Sequence, residues 1–521
     1  MNTRSQIFGT YAIKILIAVL VLILASFLYL RLDASRTRGH TLSRATKTSL
    51  RALQDKVVVK VFASEDLPQE LSSLNRDLKD MLEEFQRNSR GKLKYEYVRA
   101  KNTDELIDEA RQYNIPPLNA TIYEEDKMVS KEIVFGVSFE GGGKSSSLYL
   151  RPGMETMLEY QLLQKVNKLQ SETLPKVAFF ADSLALQYQY VYYRDNVSTF
   201  FLELTENYNL EFTQLDSLPQ APVMLCMGVL DSLSTLQLYH LDQYLMRGGE
   251  VVMLQDRALV TYGNQGTGVS EVESNIFTLL EHYGILIKPN IVLDEECELG
   301  QGGGLGTQVP YPFFPRLKPN PEVPYALGFD PIVMNIASEL ATLPGSKLKL
   351  KPVLQTSGKS NLLMGPTFNI EEAMNRSQEP GWLSMPPLTV AAEFSGPLKS
   401  FFSQALTDST FHPSNAKGRI ILFGDSEFNL EFSAGAYMVQ NAIDHLLGRA
   451  EMVKLRSRRT VYNRLGADVY MDRHQLRPAD PARTVSSLTL GFKLTAILLP
   501  LLLLALVGFA QAYRRSSRRT Q

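Results

Sequence analysis

Two long apolar runs bracket the chain. Residues 7–30 are apolar apart from Lys14 and a few small or polar positions, and residues 494–513, LTAILLPLLLLALVGFAQAY, carry no charge. A helix needs about 20 such residues to cross roughly 30 Å of hydrocarbon, so each run predicts a transmembrane helix. Lys14 lies near one end of its run, where its stem can snorkel. Pro500 is tolerable because neighbouring groups can satisfy the freed carbonyl. The first run is long for a signal-peptide core, and Leu24-Ala-Ser-Phe27 is a poor small-x-small cleavage site, so it reads as an uncleaved anchor.

Between these runs the periodicity changes. Leu42–Leu53 reads as a short helix and Val57-Val-Val-Lys-Val-Phe62 as a strand. Leu71, Leu74, Leu78, Leu82 and Phe85 recur at helical spacing over Gln69–Gln86. Lys92–Val98 alternates as a strand does. A helix follows over Asp104–Gln112, then Ile115-Pro116-Pro117, strands near 120–124 and 131–139, a turn at Gly141-Gly-Gly143 and a helix at Met154–Leu169. This order predicts a thioredoxin-like α/β domain over residues 42–172. Its proline would stand where that fold often holds a cis peptide. Residues 1–225 contain no cysteine, which excludes thiol-disulfide chemistry there and leaves a binding or structural module.

A second region, residues 173–451, alternates strands and helices. Lys176–Phe180, Leu210–Phe212, Val223–Met227 and Glu250–Leu254 read as strands. Helices fit Val197–Asn207 and a segment capped by Ser234, with Leu238, Leu241 and Leu245 on one face and a stop at Gly248-Gly249. A helix at Glu273–Tyr283 and a strand at Ile285–Ile291 extend the pattern, which predicts a doubly wound, mostly parallel sheet. From 295 to 347 it dissolves into Gly-rich and Pro-rich sequence, an excursion long enough to predict a functional loop. Strands at Leu388–Phe394 and Arg419–Phe423 and a helix at Ala436–Leu447 follow. Residues 1–41 form the N-terminal anchor and flank, 452–487 a basic linker, and 488–521 the second span and tail.

The chain has 521 residues and a formal net charge of −1, unevenly spread. Basic residues gather in 1–14, 31–51 and 452–521, leaving 52–451 acidic. An acidic body argues against nucleic acid as a partner, while the basic collars suit lipid headgroups or a membrane partner. Arg514, Arg515, Arg518 and Arg519 place the tail in the cytoplasm by the positive-inside rule. Two spans then put both termini there and the large domain outside the cytoplasm. The basic flank at 31–51 runs against this orientation, but large domains translocate largely regardless of such charge. Of the two cysteines, Cys226 reads as a small core residue. Its spacing from Cys297 leaves a disulfide and two free thiols equally open.

Few stretches suggest chemistry. Gly424-Asp-Ser426 ends a strand as in one family of serine esterases, but no histidine stands at a matching spacing; Asp444-His445 is the nearest candidate. Gly143-Lys-Ser145 lacks the earlier glycine of a phosphate loop and precedes a strand, so it reads as a hairpin turn without nucleotide. No cofactor motif or metal-ligand spacing appears, and the acidic Asp294-Glu-Glu296 with Glu298 reads as a solvated loop. Doubly wound sheets bind ligands at the carboxyl ends of their strands. That places a candidate crevice at Asp182, Ser183, Asp256, Arg257, Asp425, Ser426 and Glu427.

The order of segments resembles the GldG family of gliding-motility-associated ABC-transporter auxiliary proteins, within the broader ABC-type uncharacterised transport system group. The matching stretches are Leu42-Ser-Arg-Ala-Thr-Lys47, Val57–Pro68, Leu241–Val251, Tyr311–Pro315 with the segment to Leu340, and Gly424–Phe428 with Asn441–Asp444. The resemblance covers nearly the whole chain. It implies a non-enzymatic, membrane-anchored, substrate-binding-like subunit working with a separate ABC permease and ATPase. It also implies a central domain similar to one in an intraflagellar-transport protein, itself glutamine-amidotransferase-like without the catalytic cysteine. The family's Gly-His-Gly-Glu-like turn is replaced here by Ala181-Asp-Ser-Leu184. The alternatives are a structural scaffold of an envelope machine and, from a different class, a membrane-anchored serine hydrolase using Ser426.

Overall fold

The computed structural model describes residues 42–124, 127–170, 174–263, 266–301, 308–407, 410–427 and 434–457, with positions 491 and 495. Among these no helix is long and apolar enough to cross a membrane. The run 7–30 lies outside the described residues, as does 494–513 apart from position 495. The elements that follow belong to the first of two compact units, Met1–Thr460 and Val461–Gln521.

The first sheet is built from a short helix, α1 (Arg44–Arg51), then β1 (Val57–Ala63), α2 (Gln69–Asn88), β2 (Leu93–Tyr97) and α3 (Thr103–Gln112). A separate hairpin, β3 (Leu118–Glu124) and β4 (Lys127–Ile133), intervenes before β5 (Phe135–Gly141), β6 (Lys144–Tyr149) and α4 (Leu158–Gln170). The sheet order is β2-β1-β5-β6, with β1 parallel to β2 and antiparallel to β5. That is the connectivity expected of a thioredoxin-like module. Leu71, Leu74, Leu78, Leu82 and Phe85 of α2 are all buried, as their spacing requires. Gly142 and Gly143 form the β5–β6 turn, so Gly143-Lys-Ser145 is a hairpin. Two expectations change. The strand read as 131–139 is two strands, because β4 leaves the sheet to pair with β3. The cis peptide expected at Pro116 is absent; among the described residues only Gly365–Pro366 is cis. The inserted hairpin moves Pro116-Pro117 away from the strand they would otherwise introduce.

The large sheet starts with β7 (Lys176–Phe180), α5 (Ser183–Asn207), β8 (Asn209–Phe212), β9 (Val223–Met227), α6 (Thr235–Met246) and β10 (Glu250–Leu254). A hairpin of β11 (Ala258–Gly263) and β12 (Gly266–Glu271) precedes α7 (Ile276–Tyr283). Then come β13 (Ile285–Ile287), β14 (Asn290–Asp294), β15 (Cys297–Gln301), β16 (Gln308–Pro319), β17 (Ile332–Val333), β18 (Leu340–Thr342), β19 (Lys349–Gln355), β20 (Ser360–Met364) and α8 (Ile370–Arg376). The long strands β21 (Thr389–Lys399) and β22 (Ser414–Phe423) and the helices α9 (Ala434–Leu446) and α10 (Ala450–Ser457) end the described fold. Strand order is β15-β16-β19-β21-β22-β10-β9-β7-β8, with β17 on β16. From β22 to β8 neighbours are parallel. Alternate residues of these strands feed two separate cores. Val177, Phe179, Val252, Leu254, Ile421 and Phe423 join α9 on one face; Ala178, Phe180, Val251, Met253, Ile420 and Leu422 join α6 and α7 on the other. The parallel half is therefore doubly wound.

The other half corrects the sequence reading. From β22 to β15 neighbours are antiparallel, so the sheet is mixed. The Gly/Pro-rich excursion includes a long strand: β16 contains Pro310, Pro312, Pro315 and Pro319. Pro310 faces Leu299 and Pro315 faces Cys297, beside a register shift where a missing N–H is tolerated. The strand read as Ile285–Ile291 is β13 and β14, which pair with β18 and β20 and do not extend the parallel sheet. The helix read from Val197 begins at Ser183, where Asp182 caps it. Cys226 and Cys297 are both free thiols, on strands far apart in the sheet. The linker expected from 452 begins with helix α10, whose Arg456 is fully buried. Arg456 donates to Asp444 Oδ2 at 2.9 Å, Asn441 Oδ1 at 2.6 Å and Tyr160 Oη at 3.0 Å, tying α4 of the first sheet to α9 and α10.

Candidate functional site

Parallel pairing brings the site together. β10 and β22 run side by side with Leu254 opposite Phe423, and the Gln255 N–H extends the pairing to Phe423 O at 3.0 Å. Two residues beyond that rung, Asp256 and Asp425 meet at the carboxyl end of the parallel half. Gly424 lets the chain turn there. Its N–H bonds Val390 O, its carbonyl accepts from Ser338, and an added Cβ would stand 2.5 Å from Ser338 O.

Three buried carboxylates, Asp256, Asp425 and Glu427, each bring an oxygen within 4.8 Å of the others. Asp256 accepts from the Ser426 N–H at 2.9 Å and from the Ser426 hydroxyl at 2.6 Å. Asp425 accepts from the Glu427 N–H at 2.8 Å and the Asn335 N–H at 2.7 Å. The next residue, Ile336, holds φ +57°, a conformation rare for a β-branched side chain. Glu427 Oε1 is buried without a hydrogen-bond partner. Burial, then the charge of Asp425, push the Asp256 carboxyl up to about 7. Burial, then Asp256 and Asp425, push Glu427 well above the usual carboxylate range. The group can share protons or hold a cation.

The remaining crevice residues go elsewhere. Asp182 Oδ1 caps α5 through the Ala185 N–H at 2.5 Å, and its Oδ2 accepts from Leu230 and from Asp231 at 2.8 Å. Ser183 is exposed. Arg257 pairs with Glu271 at 2.7 Å and lies 3.9 Å over the Phe277 ring. Ser426 is nearly fully buried, its hydroxyl is donated to Asp256, and no described histidine bonds to it. His445 instead accepts from Arg419 Nη2 at 2.8 Å. The acidic run at 294–298 is compensated: Asp294 binds Ser357, while Glu295, Glu296 and Glu298 pair with Lys359, Lys318 and Arg316.

One feature of the site has no sequence signal. Asp256 and Ser426 are 170 residues apart, so the carboxylate triplet follows no ligand-spacing rule. A second feature was also missed. A cleft of about 760 Å³ lies between the two sheets, lined by Arg151, Tyr160, Lys165, Glu203, Asn207 and Gln440 among others. Burial pushes Glu203 up to about 7 there, against the opposing charges of Arg151 and Arg456. Nothing in the periodicity of α5 distinguishes Glu203 from a solvated helix residue.

Residues 36–140 match a domain of unknown function, DUF7088. No curated protein matches the chain. Among solved structures, the N-terminal domain of mmIFT52 is similar at 14% identity with a TM-score of 0.31, covering 52% of this chain and 97% of its own. A thua-like protein from Bacteroides uniformis ATCC 8492 is similar at 11% identity with a TM-score of 0.28, covering 53% and 93%. Residues 174–431, which include β10, β22 and the whole carboxylate group, match the ABC-type uncharacterized transport system family, and through them the chain belongs to that family.

Proposed function

We propose that this chain is a non-enzymatic, membrane-anchored auxiliary subunit of an ABC transporter of the gliding-motility type. Its two apolar runs hold it in a bacterial inner membrane, with both termini in the cytoplasm and the body in the periplasm. A separate permease and ATPase drive transport, and the body serves as a substrate-binding-like module. The observation that carries this reading is the family match over residues 174–431. The charge-free run at 494–513 and the basic tail support the anchoring and orientation. The non-enzymatic reading draws on Ser426, whose hydroxyl is committed to a carboxylate and meets no described histidine.

Affinity purification of the tagged full chain in mild detergent tests the proposal. A multispan permease and a nucleotide-binding subunit co-purifying in stoichiometric amounts is the expected result. Recovery alone, or with envelope structural proteins only, overturns it. A fluorophosphonate label that disappears in Ser426→Ala would overturn the non-enzymatic part.

A further inference from the structure

We propose that Asp256, Asp425 and Glu427 form a binding site for one hard divalent cation, calcium in particular, clamped between the ends of β10 and β22. Three carboxylates from two separate loops place oxygens within 4.8 Å of one another in a buried pocket. Calcium–oxygen distances of about 2.3–2.6 Å allow ligand oxygens on opposite sides of one ion to stand roughly 5 Å apart, so this spacing suits a single shared ion. The donors are all oxygen, with neither imidazole nor thiolate among them, which favours a hard cation over zinc.

The partner count points the same way. Each oxygen of Asp256 and Asp425 accepts a hydrogen bond from a backbone N–H or the Ser426 hydroxyl, and the Glu427 carboxyl hydrogen-bonds to both residues. A carboxylate oxygen has a second lone pair, so each can still coordinate. Glu427 Oε1 takes no hydrogen bond although its residue is only 5% exposed. A buried acceptor without a donor costs stability, and a cation held by the three carboxylates would supply its partner. Asn335, Ser426 and Gly424 then act as supports: Asn335 and Ser426 orient two of the ligands, and Gly424 lets their loop approach Ser338. The site lies outside the 294–298 acidic run, where each glutamate has its own lysine or arginine. It does not depend on the transporter reading.

The test uses the full chain in detergent, stripped with a chelator and titrated calorimetrically with CaCl2 and, separately, MgCl2. The runs are made near pH 6.5 in buffers of different ionisation enthalpy. The expected result is one calcium per chain, weaker magnesium binding, and protons released as the ion displaces them. Glu427→Gln and Asp256→Asn should each weaken binding roughly tenfold or more, and Glu295→Gln should leave it unchanged. Absence of saturable binding up to about 1 mM calcium, the weak end for extracellular modules, overturns the proposal. So does binding that survives Glu427→Gln, or is lost in Glu295→Gln; the carboxylates are then a proton-sharing group only. If either ligand variant fails to fold, the unmodified chain decides. A rise in its unfolding temperature with calcium supports the site, and an unchanged temperature overturns it.

Discussion

The two ends of the β10–β22 pair treat buried charge in opposite ways. At the amino end, Glu250 and Arg419 stand opposite one another, and the guanidinium reaches Glu250 at 3.2 Å, Glu393 at 3.3 Å and His445 at 2.8 Å. Tyr325 adds a hydroxyl donor to Glu393 at 3.1 Å. At the carboxyl end, the same two strands bring together Asp256, Asp425 and Glu427, whose nearest donors are backbone N–H groups and one hydroxyl. The amino end carries its own counter-charge, as a structural ion pair must. The carboxyl end gathers three acidic side chains that share hydrogen bonds among themselves and with nearby backbone and hydroxyl donors. In this fold the amino-end cluster is held by opposite charge and the carboxyl-end cluster by hydrogen bonds.

The compensated kind reaches its extreme at Arg456, which with Asp444 is fully buried. Arg456→Met would leave Asp444 with Arg449 alone, at 2.8 Å, and would strip Tyr160 and Asn441 of a donor. The expected loss is about 3–5 kcal/mol, read from chemical denaturation. Arg419→Met removes one cation from two half-buried glutamates. Solvent still reaches these side chains, so the expected loss is smaller, about 2 kcal/mol. An Arg419 variant as stable as the parent would show that the amino end does not need its cation, and the contrast between the ends would fail.

The carboxyl end predicts a pH slope. Asp256 in the folded chain titrates near 7 and Glu427 higher than usual, whereas unfolded carboxyls titrate near 4. Between those values the ion-free fold holds more protons than the unfolded chain, so its stability falls as pH rises from about 4 to about 7. Glu203, Glu250 and Asp294 slope the same way, so the comparison is made in a Glu203→Gln background, with Glu250 and Asp294 common to both chains. Glu427→Gln should flatten the fall, and so should saturating calcium. A slope unaffected by Glu427→Gln would remove this group as its source.

Much of this architecture is legible in the sequence, because local pattern and packing agree there. The α2 stripe of leucines, the Ser234 cap and the run Glu250–Leu254 all recur in the fold at the positions their spacing dictates. Gly248, at φ +95°, ends α6 as a residue without Cβ can. Legibility fails where pairing is non-local. The prolines of β16 argue against a strand, yet a register shift against β15 and a pairing with β19 limited to Lys318 and Pro319 leave room for them. The crevice is half legible. A rule of topology picks out Asp256, Asp425, Ser426 and Glu427, but adds Asp182, Ser183 and Arg257, whose side chains turn to caps, solvent and a neighbouring hairpin. No periodicity reports that three carboxylates converge, because their meeting is settled only when the strands pair.

The smallest effect belongs to His445, and it sharpens the contrast by its sign. Burial, and then the Arg419 charge against the pull of Glu393, lower its pKa, and its Nε2 accepts from Arg419, so it is neutral in the fold. A histidine held neutral binds fewer protons when folded than when unfolded. Its contribution is therefore complete above the unfolded value of about 6.5 and is lost as pH falls below it. The His445 contribution weakens toward acid, while the carboxyl end weakens toward neutral pH. His445→Gln keeps an acceptor for Arg419 and does not titrate, so stability at pH 8 should change by less than about 1 kcal/mol. The loss between pH 6.5 and 5 should shrink, and the carboxyl-end slope should become easier to see once this opposing one is removed. Denaturation curves of the parent and His445→Gln chains at pH 5, 6.5 and 8 decide it. An acid loss undiminished in the variant would mean that His445 contributes no titrating stability and that the two ends do not oppose each other.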